Sequence, residues 1–388
     1  MIPYGRQNIS EEDIKAVSDV LKSDFLTQGN AVPEFENKVS QYCNVNFAFA
    51  VNSATSALHI SCLALDVGPN DIVWTSAVSF VASANCALYC GASIDFVDID
   101  ANTYNMCVKS LSAKLEQASK SGKLPKVVIP VHLTGQPCEM KEIYELSKKY
   151  KFKIIEDASH AIGARYKNTK IGDCKYSDIA VFSFHPVKII TTGEGGMATT
   201  NDIKIAEKLS LYRTHGITRD ESAMQNIPDG PWYYEQIKLG FNYRMTDIQA
   251  ALGISQMNRL DSFIQKRYQI FDRYNEYFKD LSLIKTPWQN KDSRSSLHLY
   301  VIRVDNSKSK VDHNALFNYL RNNNIGVNIH YIPIYRHPFY SKLGFNFSDF
   351  PESEKYYSEA ISIPIYPDLE EESQEFVYKL IKSQVGSS

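Results

Sequence analysis

Short apolar runs alternate with amphipathic stretches through the first half of the chain. The apolar runs predict strands that are buried on both faces, and apolar residues recurring every three or four positions predict helices. Strands are predicted at 47–51, 72–75, 94–97, 127–131, 153–156, 179–183 and 197–200. The helices between them are predicted at 55–65, 79–90, 110–119, 139–150 and 202–212. This alternation indicates an α/β fold with a mainly parallel sheet covered on both faces.

The two ends of the chain carry other patterns. Helices are predicted from Ser10 to Lys22 and at 33–42 near the start, and at 246–259 and onward to 277 later. Beyond them an α+β arrangement is predicted, with strands at 297–304 and 326–331 and helices at 313–322, near 352–360 and from 370. The expected division is an N-terminal arm and helix (1–30), a large domain (31–261) and a smaller C-terminal domain (262–388). The irregular stretch 213–245 is long enough to be functional or to bridge to a partner.

Composition narrows the class of protein. The chain has 388 residues, 44% apolar and 22% charged, as in ordinary globular proteins. A net charge of −2 gives no electrostatic reason to expect nucleic acid or an anionic membrane as partner. No apolar run is long enough for a membrane span, and the start has no signal region, so a cytoplasmic protein is expected. Seven cysteines without a CxxC pair predict reduced thiols and no metal site.

One lysine has unusual neighbours. Lys188 follows the predicted strand 179–183 and lies between Val187 and Ile189. Burial disfavours the charged amine and lowers its pKa, which makes it a nucleophile for carbonyls such as the aldehyde of pyridoxal phosphate. The alternative is a lysine that extends from a strand end to solvent, and by itself that alternative is favoured.

Polar and aromatic residues follow other predicted strands, where ligands bind in parallel sheets. The stretch 52–58 begins a helix with small and hydroxyl residues, including Thr55 and Ser56, which suits a phosphate or an ordinary helix cap. Phe80 could stack on a flat cofactor or belong to the core. Asp157 could pair with a protonated pyridine nitrogen or form a cap or salt bridge. Ser183 could offer a hydroxyl group that binds a phosphate. Each signal is weak alone, but their joint order is hard to attribute to chance.

Four motifs then carry a resemblance over nearly the whole chain. They are residues 52–58, residues 156–163, residues 183–196 with Lys188, and residues 240–251. With them the chain resembles the DegT/DnrJ/EryC1/StrS sugar aminotransferases, which have the type I (aspartate-aminotransferase-like) fold of pyridoxal 5′-phosphate enzymes. The resemblance implies a homodimer with its sites at the subunit interface.

The resemblance also implies roles for individual residues. Lys188 would bind the cofactor covalently, Asp157 would contact its pyridine nitrogen, and His160 would lie near its ring hydroxyl. Phe80 would stack on the ring. The phosphate would be held by Thr55, Ser56 and Ser183, and by Asn242 of the other subunit. Relatives that remove a hydroxyl have histidine at the lysine position, so Lys188 favours transamination over dehydration.

Within the family the chain is most similar to C4 aminotransferases of pseudaminic acid biosynthesis. This similarity implies transfer of an amino group from L-glutamate to C4 of a UDP-linked 4-keto-6-deoxy-N-acetylhexosamine. The implied contacts to the UDP-sugar are Tyr4, Asp24, Phe25, Leu26, Thr27, Ala54, His330, Tyr331, Ile332 and Pro333. C4 aminotransferases for other UDP- or dTDP-sugars share most of these features. A non-catalytic nucleotide-sugar-binding protein of the same fold is the alternative from another class.

Overall fold

The computed structural model describes residues 1–305 and 312–385. Its helices are α1 (Glu11–Leu21), α2 (Ala31–Cys43), α3 (Ala54–Ala64), α4 (Ala82–Tyr89), α5 (Val108–Ser121), α6 (Met140–Tyr150), α7 (Ile203–Arg213), α8 (Asp247–Met257), α9 (Leu260–Phe278), α10 (His313–Asn322), α11 (Pro338–Ser341), α12 (Pro351–Glu359) and α13 (Glu371–Val385). Its strands are β1 (Phe47–Val51), β2 (Ile72–Ser76), β3 (Ser93–Val97), β4 (Val127–Ile129), β5 (Lys153–Asp157), β6 (Arg165–Tyr166), β7 (Thr169–Lys170), β8 (Ile179–Ser183), β9 (Gly196–Thr200), β10 (Ile217–Thr218), β11 (Glu235–Gln236), β12 (Ile284–Lys285), β13 (Ser293–Arg294), β14 (Tyr300–Val304) and β15 (Ala360–Ile363).

A seven-stranded sheet forms the centre of the molecule, in the order β1-β9-β8-β5-β4-β2-β3. The strands β3, β2, β4, β5 and β8 pair in parallel. Strand β9 runs antiparallel to both of its neighbours, β8 and β1. The predicted α/β class with a mainly parallel sheet is confirmed.

Both faces of this sheet are covered. Ile154 and Phe182 contribute to one hydrophobic cluster, whereas the adjacent Ile155 and Val181 contribute to another. Successive side chains of a strand point to opposite faces, so the two clusters lie on opposite sides of the sheet. Burial on both faces explains why these strands read as continuous apolar runs in the sequence.

The C-terminal third has its own antiparallel sheet, β12-β14-β15. Side chains of this sheet share a separate hydrophobic cluster with α9, α10 and α13, including Tyr274, Tyr300, Ile361 and Val377. The domain division 1–30, 31–261 and 262–388 stays a prediction, and its positions 306–311 and 386–388 lie outside the described residues.

One predicted strand, 326–331, is wrong. Asn328 forms only an isolated bridge, to Ser362. The backbone after Asn328 does not continue this pairing as a strand. Instead, the hydroxyl of Tyr356 donates a hydrogen bond to the carbonyl oxygen of His330 at 2.6 Å. A segment that lines a cavity can show the same alternation of apolar and polar residues as a strand.

The helix predicted at 79–90 begins later, at Ala82. None of the helices in the described parts of the chain is long and apolar enough to cross a membrane.

Candidate active site

A cavity of about 910 Å³ opens at the carboxyl ends of β5 and β8. Its wall also includes residues that follow β1, β2 and β4, and a contribution from the C-terminal third. The lining residues are Tyr4, Asn52, Ser53, Ala54, Thr55, Ser56, Leu58, Ser79, Phe80, Ala82, Val131, Asp157, Ser159, His160, Ser183, His185, Val187, Lys188, Glu194, Gln249, His298, Asn328, His330 and Tyr331.

Lys188 lies in the turn between β8 and β9. Its backbone N–H donates to the carbonyl of His185 at 2.9 Å, and the turn is closed where Thr192 donates to Phe184 at 3.0 Å. The side chain is partly exposed because it faces the open cavity. Desolvation lowers the pKa of the Lys188 amine to about 8, and the nearby Asp157 opposes this shift. The lowered pKa predicted from the sequence is confirmed, and a substantial fraction of the amine is neutral near physiological pH.

Asp157 is the last residue of β5 and is buried. The hydroxyl of Ser83 donates to one carboxylate oxygen at 2.6 Å, and the backbone N–H of Ser159 donates to the other at 3.1 Å. Ser79 hydrogen-bonds to Ser83 at 2.7 Å, which extends the network to the segment before α4. Among the described basic residues, none forms an ion pair with Asp157. A buried carboxylate that is oriented but not paired is suited to a cationic ligand group.

The first turn of α3 faces the cavity. Ser53 caps the helix by accepting a hydrogen bond from the N–H of Ser56 at 3.1 Å. The first N–H groups of a helix have no partner within it and favour anions. Gly196 of β9 lies so close that a Cβ there would be 2.5 Å from the nitrogen of Ala54. Thr55, Ser56 and Ser183 also line the cavity, so hydroxyl groups and a helix N-terminus that could bind a phosphate belong to the same wall.

Phe80 presents its ring to the cavity. The side chain is 56% exposed, which excludes the alternative of a core phenylalanine. The centroid of its ring lies 6.0 Å from that of Tyr331. An aromatic face left open in a cavity can stack on a flat ring.

Three histidines and a tyrosine form another part of the wall. His160 Nε2 is hydrogen-bonded to the Tyr331 hydroxyl at 3.1 Å, and its ring lies 4.4 Å from that of His298. Desolvation, followed by the nearby Lys188, lowers the pKa of His330 to about 3. Desolvation also lowers the pKa of His160 and His298 well below the usual value. These rings are therefore neutral near pH 7 and act as hydrogen-bonding groups, not as charges.

Eleven predicted site residues come together in this one cavity. They are Tyr4, Ala54, Thr55, Ser56, Phe80, Asp157, His160, Ser183, Lys188, His330 and Tyr331. The others lie outside its lining in the single chain: Asp24, Phe25, Leu26, Thr27, Asn242, Ile332 and Pro333. Asn242 is exposed, as are Phe25 and Leu26. Their roles stay predictions.

Some lining residues were missed by the sequence reasoning. Ser79 lines the cavity, and Ser83, four residues or about one helical turn later, supports Asp157 from behind the lining. This spacing of two serines is a weak signal that was available. His298 and Asn328 come from the C-terminal third, more than 100 positions after Lys188. Nothing in their local sequence indicates that they return to this cavity.

Together these groups could hold a flat cofactor. The wall offers an amine of lowered pKa, a buried carboxylate with no ion-pair partner among the described residues, an open aromatic face and a helix terminus with hydroxyls. These are the partners required by an aldehyde, a cationic ring nitrogen, a planar ring and a phosphate. In the part of the chain that the structure describes, no group of three or more potential metal ligands is assembled.

Comparisons with known proteins also indicate an aminotransferase. The model of the DegT/DnrJ/EryC1/StrS aminotransferase family matches residues 7–382. The spore coat polysaccharide biosynthesis protein SpsC of Bacillus subtilis is 35% identical over 386 residues, which are 99% of this chain and 97% of that protein. The UDP-4-amino-4,6-dideoxy-N-acetyl-beta-L-altrosamine transaminase of Campylobacter jejuni is 37% identical over 377 residues, 97% of this chain and 96% of the relative.

A solved structure from Streptococcus pneumoniae, named as a sugar aminotransferase in its pyridoxamine phosphate form, matches with a TM-score of 0.90. The sequence identity is 31%, and the match covers 100% of this chain and 99% of that one. The pyridoxal phosphate form of the same protein matches with a TM-score of 0.89.

Proposed function

Because the chain belongs to the DegT/DnrJ/EryC1/StrS aminotransferase family, and so is a sugar aminotransferase with the type I fold, we propose which amino transfer it performs. The donor is L-glutamate, and the acceptor is C4 of a UDP-linked 4-keto-6-deoxy-N-acetylhexosamine. The product is UDP-4-amino-4,6-dideoxy-N-acetyl-β-L-altrosamine, in pseudaminic acid biosynthesis. The Lys188 amine of lowered pKa in one cavity with Asp157 supports amino transfer itself. The observation that carries the choice of acceptor is the 37% identity over 377 residues to the Campylobacter jejuni transaminase.

Aminotransferases of this family depend on pyridoxal 5′-phosphate, which supplies an aldehyde for the amino group and a ring that withdraws electrons. In this chain Lys188 would hold the aldehyde carbon and Asp157 the pyridine nitrogen. Phe80 would cover one face of the ring, and His160 would lie near its hydroxyl. Thr55, Ser56 and Ser183 would bind the phosphate together with the backbone N–H groups in the first turn of α3.

Lys188 also moves the protons of the reaction. Its amine accepts the proton from Cα of glutamate and, in the second half of the cycle, donates a proton to C4 of the keto sugar. A pKa of about 8 suits both tasks, because a catalytic acid-base group works best with a pKa near the operating pH. Positioned proton transfer of this kind typically contributes about 10²–10⁴-fold to the rate.

Other residues bind and orient the substrate. Tyr4, Ala54, His330 and Tyr331 line the cavity beside Lys188 and would contact the UDP-sugar. The ring of Tyr4 lies 5.1 Å from that of His330, so the N-terminal arm and the C-terminal third meet at this wall. Asp24, Phe25, Leu26, Thr27, Ile332 and Pro333 would complete the sugar site, and Asn242 would reach the cofactor phosphate of a partner subunit in a homodimer.

A second candidate is a C4 aminotransferase that acts on another UDP- or dTDP-linked keto sugar. It is favoured by the similarity to the Bacillus subtilis protein, which is named for spore coat polysaccharide biosynthesis and is almost as similar as the Campylobacter jejuni transaminase. The cavity residues common to both candidates would perform the same proton transfers.

The visible spectrum of the protein with pyridoxal phosphate tests the proposal. We expect the absorption band of the bound cofactor to bleach on addition of glutamate and to return on addition of a UDP-4-keto-6-deoxy-N-acetylhexosamine. Lys188→Ala should abolish steady-state turnover, and appreciable turnover by that variant would contradict the role of the lysine. Recovery of the band only with another keto sugar would support the second candidate. Failure to form any band would favour a binding protein of this fold.

A further inference from the structure

His330 lines the candidate cavity, and both nitrogens of its ring have side-chain partners. Nδ1 lies 2.8 Å from the hydroxyl oxygen of Ser362. Ser362 is a buried residue of β15 and lies outside the described lining of the cavity. Nε2 lies 3.4 Å from the side-chain nitrogen of Asn328, which belongs to the lining. The ring therefore has one nitrogen at β15, behind the wall, and the other beside a residue of the lining.

The side-chain amide of Asn328 has only one orientation that satisfies its neighbours. Its oxygen accepts a hydrogen bond from the backbone N–H of Ile329 at 2.9 Å. An NH₂ group in the place of this oxygen could not accept that hydrogen bond, so the backbone determines which way the amide points. The atom of Asn328 that faces His330 is therefore the nitrogen, which only donates.

This orientation locates the hydrogen on the ring of His330. A neutral imidazole has one nitrogen that carries a hydrogen and one that accepts a hydrogen bond. Nε2 faces the N–H of Asn328 and is the accepting nitrogen, because a hydrogen on Nε2 would oppose that of the amide. The hydrogen is then on Nδ1, which donates it to the oxygen of Ser362. Desolvation, followed by the nearby Lys188, lowers the pKa of His330 to about 3, so the ring is neutral near pH 7.

The accepting nitrogen is only weakly occupied. The distance of 3.4 Å to Asn328 exceeds the roughly 2.7–3.2 Å of a good hydrogen bond, so a ligand O–H or N–H could take the place of the amide. A phosphate or carboxylate group has only accepting oxygens at neutral pH and would face the lone pair of Nε2 unfavourably. Lys188, which must reach C4 of the sugar, lines the same cavity. The hexose is thus the part of the proposed substrate that lies nearest to this ring.

We propose that Nε2 of His330 accepts a hydrogen bond from a hydroxyl or amide N–H group of the hexose, and that Ser362 is the positioning residue that holds the ring in this tautomer. The identity of the hexose rests on the proposed function, whereas the tautomer is a property of the protein that is measured without turnover. A lone pair fixed in this direction selects an uncharged hydrogen-bond donor at this part of the wall.

Nitrogen NMR of the protein with bound pyridoxal phosphate tests the tautomer. In protein labelled with ¹⁵N-histidine, long-range ¹H–¹⁵N correlations distinguish the two neutral tautomers from each other and from the charged ring. A His330→Gln sample identifies the His330 signals among those of the nine histidines. We expect a hydrogen on Nδ1 and none on Nε2 at pH 7. A hydrogen on Nε2, or on both nitrogens, would overturn the proposal whichever sugar the enzyme uses.

Addition of ligand tests which group Nε2 contacts. The pyridoxal phosphate form has no amino group to transfer, so a saturating UDP-4-keto-6-deoxy-N-acetylhexosamine stays intact. We expect the Nε2 resonance to move towards that of a protonated nitrogen, and UDP alone to leave it unchanged. An unmoved resonance with the keto sugar, or an equal movement with UDP alone, would overturn the proposal. The visible spectrum of the cofactor reports amination independently and shows whether the proposed function fails as well.

Ser362→Ala tests the positioning role. Without the oxygen that accepts from Nδ1, the ring can adopt both tautomers, and part of the NMR signal should show a hydrogen on Nε2. We expect KM for the keto sugar to rise about 2- to 10-fold, which corresponds to one hydrogen bond. Bleaching of the cofactor band by glutamate should keep the rate of the parent, because this half of the reaction does not involve the sugar.

Ser147→Ala is the matched control for this substitution. Ser147 is also buried, its hydroxyl donates to the carbonyl of Tyr144 at 2.7 Å, and it lies outside the described lining of the cavity. It should change neither the tautomer of His330 nor KM. A Ser362→Ala variant with the tautomer and KM of the parent would refute the positioning role. Should that variant fail to fold, the spectra of the parent with and without the keto sugar still decide the proposal.

Discussion

Lys188 is the residue whose chemistry follows most directly from its neighbours in the sequence. Apolar neighbours in the sequence become a partly desolvated amine in the structure, and the pKa falls to about 8 although Asp157 acts in the opposite direction. Against an unperturbed lysine near 10.4, the neutral fraction at pH 7 rises by a few hundred-fold. This difference separates a nucleophile from an ordinary surface lysine.

The pH dependence of cofactor capture follows from this pKa. Only the neutral amine attacks an aldehyde, and a lowered pKa means that the neutral form appears at lower pH. We expect the rate constant for covalent capture of pyridoxal phosphate by the cofactor-free protein to rise with pH and to level off above about 8. Stopped-flow absorbance measures this rate constant, with an N-acetyl-lysine amide as the free-amine control. A rate constant that keeps rising up to about pH 10, as for the control, would contradict the lowered pKa of Lys188.

Ser83 is the second residue whose effect can be isolated. Ser83→Ala removes the hydroxyl that donates to Asp157 at 2.6 Å, while the N–H of Ser159 still donates. A hydrogen bond to a charged group contributes about 1.5–3 kcal/mol, so cofactor affinity should fall roughly 10- to 100-fold. Equilibrium titration of the cofactor-free protein with pyridoxal phosphate measures this change.

Ser61→Ala provides the matched control for that substitution. Ser61 is also a buried helical serine, but its hydroxyl donates to the carbonyl of Ala57 in its own helix. We expect its effect on cofactor affinity to be small. Equal losses in both variants would show a general effect of helix damage and would refute a positioning role for Ser83.

The elements show where sequence reasoning succeeds. The central strands were predicted within two residues because burial on both faces leaves short apolar runs, and the lengths of these runs and the amphipathic stretches between them favour strands. The order of the strands could not be predicted, since β9 pairs antiparallel not only with the preceding strand β8 but also with β1, which is remote in sequence. Strand β15 was missed because the end of α12 leads into it without a break or turn residue.

The residues of the candidate site were also predicted only in part from the sequence. Lys188, Asp157 and Thr55 were found because each lies at or after the carboxyl end of a strand, and these ends meet at one edge of a sheet. His298 enters the cavity from just before β14, in another sheet, and Asn328 comes from a segment mistaken for a strand. Their position depends on how the C-terminal third packs, which local patterns do not encode.

At the scale of the whole molecule, the single chain leaves large apolar side chains exposed to solvent. Ile227, Trp232 and Leu239 in the stretch 213–245 are 92%, 71% and 79% exposed. Several large apolar side chains left exposed within one stretch of chain are typical of an interaction site. The same stretch runs directly into Asn242, which is exposed and outside the cavity of its own chain. These features support the proposed homodimer, in which a second copy would cover the stretch.

The proposed role of Asn242 predicts that a dimer with two different lesions regains activity. A heterodimer of one Lys188→Ala protomer and one Asn242→Ala protomer, purified through two different tags, would carry both lesions in one site and neither in the other. Each variant homodimer should be impaired, and the heterodimer should show about half of the parent turnover because one of its two sites is intact. If Asn242 acted on the cavity of its own chain, each site would carry one lesion, and the heterodimer would be no better than the average of the two homodimers. If size-exclusion chromatography with light scattering showed a monomer, the premise of a homodimer would be wrong. This measurement therefore precedes the activity assay.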